Sequence, residues 1–163
     1  MRIEGHIDAA RVARAFKRSP RIMIDRVDAF LLRGALELAR EARREAPKAS
    51  SLLANSIYPD KLGDMDYLIG PHVAHGVYME LGRRPGGAMP PFQPILDWLK
   101  NKGVASLSGE EPRDVAWAMR RSIQRKGTPA QPFMGPALAR MEDRLIALAL
   151  QGVNAGLRSA GLA

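Results

Sequence analysis

His72 and His75 stand three residues apart with Asp64 and Asp66 close by, and imidazole with carboxylate is a donor set for divalent metals. The set lacks a third ligand at a defined spacing, and it reads more simply as two loop histidines, so no metal site is expected. No Gly-x-Ser-x-Gly turn is present to expose a hydrolase serine. The glycines between Gly82 and Gly87 lack the order, and the following lysine, of a phosphate-binding loop. Glu80 is the one acid set in an apolar stretch, a placement that raises a carboxyl pKa. Without a partner carboxylate, it fits a buried ion pair with an arginine better than acid–base work. The chain has no cysteine, which excludes disulfide scaffolds, thiolate metal sites and thiol catalysis. No enzyme activity and no cofactor are expected.

The charge is more informative. Across 163 residues the formal net charge is +8, and nineteen arginines face six lysines. Residues 1–48 carry a net of +5, residues 49–82 a net of −3, and residues 83–126 again +5. Arginine suits planar, bidentate contact with phosphate or carboxylate. Arg26, Arg33 and Arg40 recur every seven residues, and Arg120, Arg121 and Arg125 cluster further on; both sets are candidate contacts to phosphate or to a partner. Solvated helix faces would give the same pattern. An acidic centre between basic flanks also suits copies of the chain meeting head to tail. Aromatic residues are only 6%, too sparse for a base-stacking platform. No helix-turn-helix or zinc module is evident, so any nucleic-acid contact would be to phosphate without sequence readout.

These side chains need elements to position them. Asp8 is placed to cap a short helix through Lys17. Ser19-Pro20 reads as the start of a second helix, running to about Glu45 and stopped by Pro47. Val27, Leu31, Gly34, Leu38 and Ala42 make its apolar stripe, and its glutamates sit beside Arg40, Arg43 and Arg44 as local pairs. At roughly 39 Å such a helix must be a spine or must protrude. Leu52 to Tyr58 and Asp66 to Gly70 read as short strands, separated by the turn-prone Pro59, Asp60 and Gly63. Val73 to Leu81 fits either a third strand or a helical turn. Gly82 to Pro94 reads as a Pro/Gly-rich arm. Ile95 to Lys102 should be a helix ended by Gly103, Pro112 should open another closed by Gly127, and Pro136 should start a last one that frays from about Gly156. The expectation is one α+β domain over residues 1–163, with long N-terminal helices, a small mostly antiparallel sheet in the middle and further helices after it. The longest apolar run, Leu145 to Leu150, falls far short of the ~20 residues of a membrane span. Glu4, His6 and Asp8 occupy the place of a signal peptide's apolar region, so a soluble protein without a cleaved signal is expected.

Taken in order, several segments resemble the tail-completion or head–tail joining proteins of long-tailed bacteriophages, the gene-ten-like minor structural family. The residues are Ala46-Pro47 after the long helices, Leu53-Ala54-Asn55-Ser56-Ile57, then Tyr78-Met79-Glu80-Leu81-Gly82, and finally Pro132-Phe133-Met134-Gly135-Pro136-Ala137-Leu138. Pro94 to Leu99 resembles an insertion seen in some branches. Arg83 departs from the Thr common after the glycine, and Lys48 to Ser51 replaces the usual Thr-Gly. The resemblance makes Ser56, Tyr78, Glu80, Gly82, Pro132, Phe133 and Pro136 the motif and candidate interface residues. Tyr78 and Glu80 would hold the strand region, and Phe133 would plug into the core or a neighbour.

What the resemblance implies is a virion structural protein at the neck, assembled in the host cytoplasm into a ring, commonly a hexamer. Its partners would be other copies of itself, the portal-side connector, the tail-tube or tail-terminator proteins, and phage DNA passing through the lumen, with no membrane. The Pro/Gly arm would reach the next subunit or the tail tube. The alternative is a basic protein that binds nucleic acid without sequence preference.

Overall fold

The computed structural model describes residues 8–47, 51–102 and 109–161, the side chains of 101 and 102 excepted. It is α+β, with a two-stranded antiparallel sheet mid-chain and helices on both sides. Where one domain was expected, the contacts group the chain into two compact units: residues 1–73 with 133–163, and residues 74–132.

The first unit begins with α1 (Ala9–Arg18), whose first amides at Ala10 and Arg11 are capped by the Asp8 carboxylate. Ser19 links it to α2 (Pro20–Glu45), with proline in the first turn. Ser19 makes no side-chain cap; its backbone joins the helices instead, donating to Ala15 and accepting from Met23. At the far end Ala46, before Pro47, turns extended (ψ 136°) as a residue ahead of proline must.

The partner of α2 is α7 (Met134–Ser159), which is also 26 residues long. Gly34 of α2 faces Leu145 and Leu148, Gly152 of α7 faces Val27 and Phe30, and Gly156 faces Met23. Numbers fall on one helix as they rise on the other, so the pair is antiparallel. A Cβ at Gly152 would lie 3.2 Å from the Val27 Cα, so glycine is what allows the backbones to approach. The expected fraying from Gly156 does not occur: the helix continues to Ser159, because Gly156 and Leu157 are buried in a cluster with Ala15 and Met23 that closes the open end of the pair.

Polar contacts fix the same register. Arg144 grips Glu37 through two bonds (2.9 and 3.2 Å), Arg33 adds a third at 2.9 Å, and Arg140 bonds Glu41 and Glu45. The glutamates of α2 are therefore taken mainly by α7 and not by Arg40, Arg43 and Arg44. Only the Arg44–Glu41 pair, at 3.5 Å, matches the local pairing. Arg43 instead donates to the Ile57 carbonyl.

The sheet lies along α2. A single helical turn, α3 (Ser51–Asn55), precedes β1 (Ile57–Gly63), which pairs antiparallel with β2 (Asp66–Pro71). The strand expected over Leu52–Tyr58 is thus displaced. Leu52 to Asn55 coil because Leu and Ala favour helix and because one turn buries Leu53 while Leu52 stays outside. Pro59 and Asp60 lie within β1, where a two-stranded sheet leaves an edge that tolerates the missing amide of proline. The turn falls after them, with Met65 at φ 59°. Asp28 holds it there: its carboxylate accepts from the Met65 amide (2.9 Å), the Lys61 ammonium (2.7 Å) and the Tyr67 hydroxyl (3.0 Å). Lys61 is the chief reason the Asp28 carboxyl lies below its usual range, and Asp28 in turn raises Lys61.

The second unit holds α4 (His75–Leu81), α5 (Phe92–Lys102) and α6 (Pro112–Lys126). Val73–Leu81 resolves as helix over its α4 portion, and α5 starts earlier than expected, at Phe92. Leu96, Leu99 and Ala116 form a small core between α5 and α6. The stop expected at Gly103 lies outside the described residues.

Two outcomes test this account. Gly152→Leu should lower stability by about 1–3 kcal/mol through overpacking against Val27 and Phe30, read as a lower urea midpoint. An unchanged midpoint would contradict the close approach. The guanidinium groups of Arg144 and Arg33 hold the Glu37 carboxyl down to about 2 from an ordinary 4.5. A depressed carboxyl contributes fully above pH 4.5, and its contribution is lost as pH falls through about 2. Because the pair is partly in solvent, Glu37→Gln should cost about 1–2 kcal/mol at pH 7 and flatten the acid limb of stability against pH. An acid limb as steep as that of the parent protein would refute the assignment.

Candidate functional site

The residues picked out by sequence do not converge on one site. Ser56 is buried where α3 passes into β1; its hydroxyl donates to the Leu53 carbonyl, and its own carbonyl receives the His72 amide. Tyr58 stacks on the His72 ring, with centroids 3.5 Å apart and planes 4° from parallel. The two ring nitrogens of His72 face only oxygens, Nδ1 the Ser56 carbonyl at 2.9 Å and Nε2 the Asp60 carboxylate at 2.5 Å. Both are acceptors, so the protonated imidazolium satisfies both, and Asp60 followed by Ser56 raises the His72 pKa. His72 thus clips the end of β2 to the start of β1. Among the described residues no three His, Cys, Asp or Glu side chains come together as a metal site would require.

Phe133, just ahead of α7, is fully buried. Pro132 is exposed and Pro136 lies in the first turn of α7. Tyr78 and Glu80 both stand on α4, in the second unit. Tyr78 is half exposed beneath the Arg83 guanidinium, 5.4 Å from its ring centroid, and Glu80 is half-buried and partnered.

Gly82 ends α4 at φ 71°, and a Cβ there would lie 2.7 Å from the Ala130 nitrogen. Gly127, at φ 72°, mirrors it: a Cβ would meet the Arg83 carbonyl at 2.1 Å. Between these glycines Arg83 and Thr128 exchange backbone bonds of 2.9 and 3.0 Å. The Gly86 amide donates to the Gln124 carbonyl, and Arg120 Nε donates to the Pro90 carbonyl, both at 2.7 Å. The segment from Gly82 is therefore no free arm. It is tied back onto α6, and its prolines and glycines serve that folding.

The arginines separate into two kinds. Arg33 is paired to Glu37, and Arg120 is taken by Pro90 and by the rings of Phe92 and Trp117. Arg26, Arg40, Arg121 and Arg125 are exposed, without ion pairs among the described residues. On α2, at 100° per residue, Leu32 and Leu36 form a short exposed apolar ridge next to the Asp28 side of the helix, bordered by Arg33 and Arg40, while Ile22 is exposed separately beside Arg26. Sequence reasoning missed this ridge because Leu32 and Leu36 fall between stripe positions on an already apolar helix. It also missed Trp117, exposed on α6.

Comparison with family models, curated proteins and solved structures gave no match. Among the described residues no helix is long and apolar enough to cross a membrane.

The crossing of Gly82 and Gly127 carries its own expectation. Gly127→Ala should break the Arg83–Thr128 bridge, since the added methyl collides with backbone in a left-handed conformation. Limited proteolysis with mass spectrometry should then show new cleavage between Arg83 and Pro94; an unaltered pattern would argue against the tie.

Proposed function

We propose that this chain is a non-enzymatic structural subunit of a phage virion, one copy of a ring at the head–tail junction through which DNA passes. The observation that carries the reading is the exposed apolar side chains of α2. Ile22, Leu32 and Leu36 are 43%, 39% and 50% exposed on a regular, well-packed helix, beside Arg26, Arg33 and Arg40. Large apolar side chains exposed on a rigid element, with cations among them, have the composition of an assembly surface. The hairpin adds to it, since Leu62 and Leu68 are exposed and a two-stranded sheet leaves both edges open. The order of the family-like segments supports the reading of a place in the virion, and a ring built from one repeated contact needs complementary patches on each subunit.

Native mass spectrometry and negative-stain microscopy of the purified chain, alone and with neck proteins, test this. Closed rings are expected, and monomers under every condition would defeat the proposal. Replacing both Leu32 and Leu36 by Asp should abolish assembly while leaving the melting temperature within a few degrees, because neither side chain belongs to the core.

A further inference from the structure

Arg113, Trp117 and Arg121 follow one another along an exposed line of α6 at four-residue steps, about 6 Å of helix axis each. Trp117 is 44% exposed, whereas the other tryptophan, Trp98, packs against the Leu96–Leu99–Ala116 core. The exposed indole is nevertheless held in place. The Arg120 guanidinium lies 4.6 Å from its ring centroid, itself anchored on the Pro90 carbonyl, and the Phe92 ring leans against it at 5.2 Å and 36°. Arg113 and Arg121 make no ion pair among the described residues, and α6 sets only Asp114 against five basic side chains.

We propose that the Arg113–Trp117–Arg121 face binds an unpaired nucleic-acid strand without sequence preference, a base resting on Trp117 and flanking phosphates on the two arginines. Arg120 is a positioning residue that holds the indole. An acidic peptide would satisfy the cations but offer no flat partner to the ring. An apolar protein surface would have to strip water from several guanidinium groups. A nucleic-acid strand supplies a π-face and regularly spaced anions together, and stacking is open to every base. The sequence expectation against a stacking platform counted aromatic residues; the structure instead sets one of them rigidly between cations. The proposal needs no ring and stands apart from the assembly reading.

The test uses a short fluorescein-labelled oligonucleotide of mixed sequence, single-stranded and as a duplex, followed by anisotropy across a salt series. Tryptophan emission is read in a Trp98→Phe background. Tighter binding of the single strand, with quenching of Trp117, is expected. Trp117→Ala should weaken single-strand binding about 5- to 150-fold and duplex binding much less, while Trp117→Phe retains most of it. Joint Arg113→Gln and Arg121→Gln changes should reduce the slope of log K against log salt by about 1.4. Circular dichroism confirms that each variant keeps its helices. Unquenched emission at saturation, full affinity in Trp117→Ala, or equal affinity for duplex would overturn the proposal. So would binding to polyglutamate but not to the oligonucleotide, which would assign the face to a protein partner. The oligomeric state of the same samples keeps this result separate from that of the ring.

Discussion

The first unit depends on how closely two long helices can approach. Gly34, Gly152 and Gly156 remove the side chains that would hold α2 and α7 apart, and Arg140 and Arg144 then lock the register by gripping glutamates across the gap. Everything else in the unit uses α2 as its reference. The α1 helix closes one end through Ala15, the hairpin is pinned by Asp28, and the free ridge exists because α7 and the hairpin take up the other sides. Dispersion between close backbones, rather than bulky aromatic filling, supplies the cohesion, which suits a chain with few aromatic residues.

Much of this was readable from residue spacing. Asp8, Pro20, Pro47, Pro112 and Gly127 marked helix ends because capping and proline sterics act locally. What misled was chemistry resolved only at a distance. Leu52 to Ser56 looked extended until burial of Leu53 selected a turn of helix. Pro59 looked like a turn residue, yet an open sheet edge leaves its missing amide without consequence. Met65 takes a left-handed conformation that nothing in its own type suggests, because a carboxylate 37 positions earlier accepts its amide.

The candidate site was less legible than the fold. Arg33 differs from Arg26 by a glutamate four residues on, but Arg120 could not be told from Arg121 by sequence, since its partners are a carbonyl and two rings that only the fold identifies. The segment rich in proline and glycine was read as reach, when those residues instead permit tight backbone contact: Gly82 and Gly127 face each other's strands too closely for any side chain. The excess of positive charge is correspondingly smaller in effect than the formal count of +8, and it is concentrated where partners are missing.

The clip at His72 has a consequence for the outer face of the hairpin. While the imidazole is protonated, it and Asp60 cancel, and that face shows solvent a neutral, stacked Tyr58–His72 surface. Loss of the proton leaves the carboxylate unbalanced and one of the two ring nitrogens facing an acceptor with nothing to donate. The Asp60–His72 pair is thus net neutral while the imidazole holds its proton and anionic once the proton is lost, a change that requires no movement of the backbone.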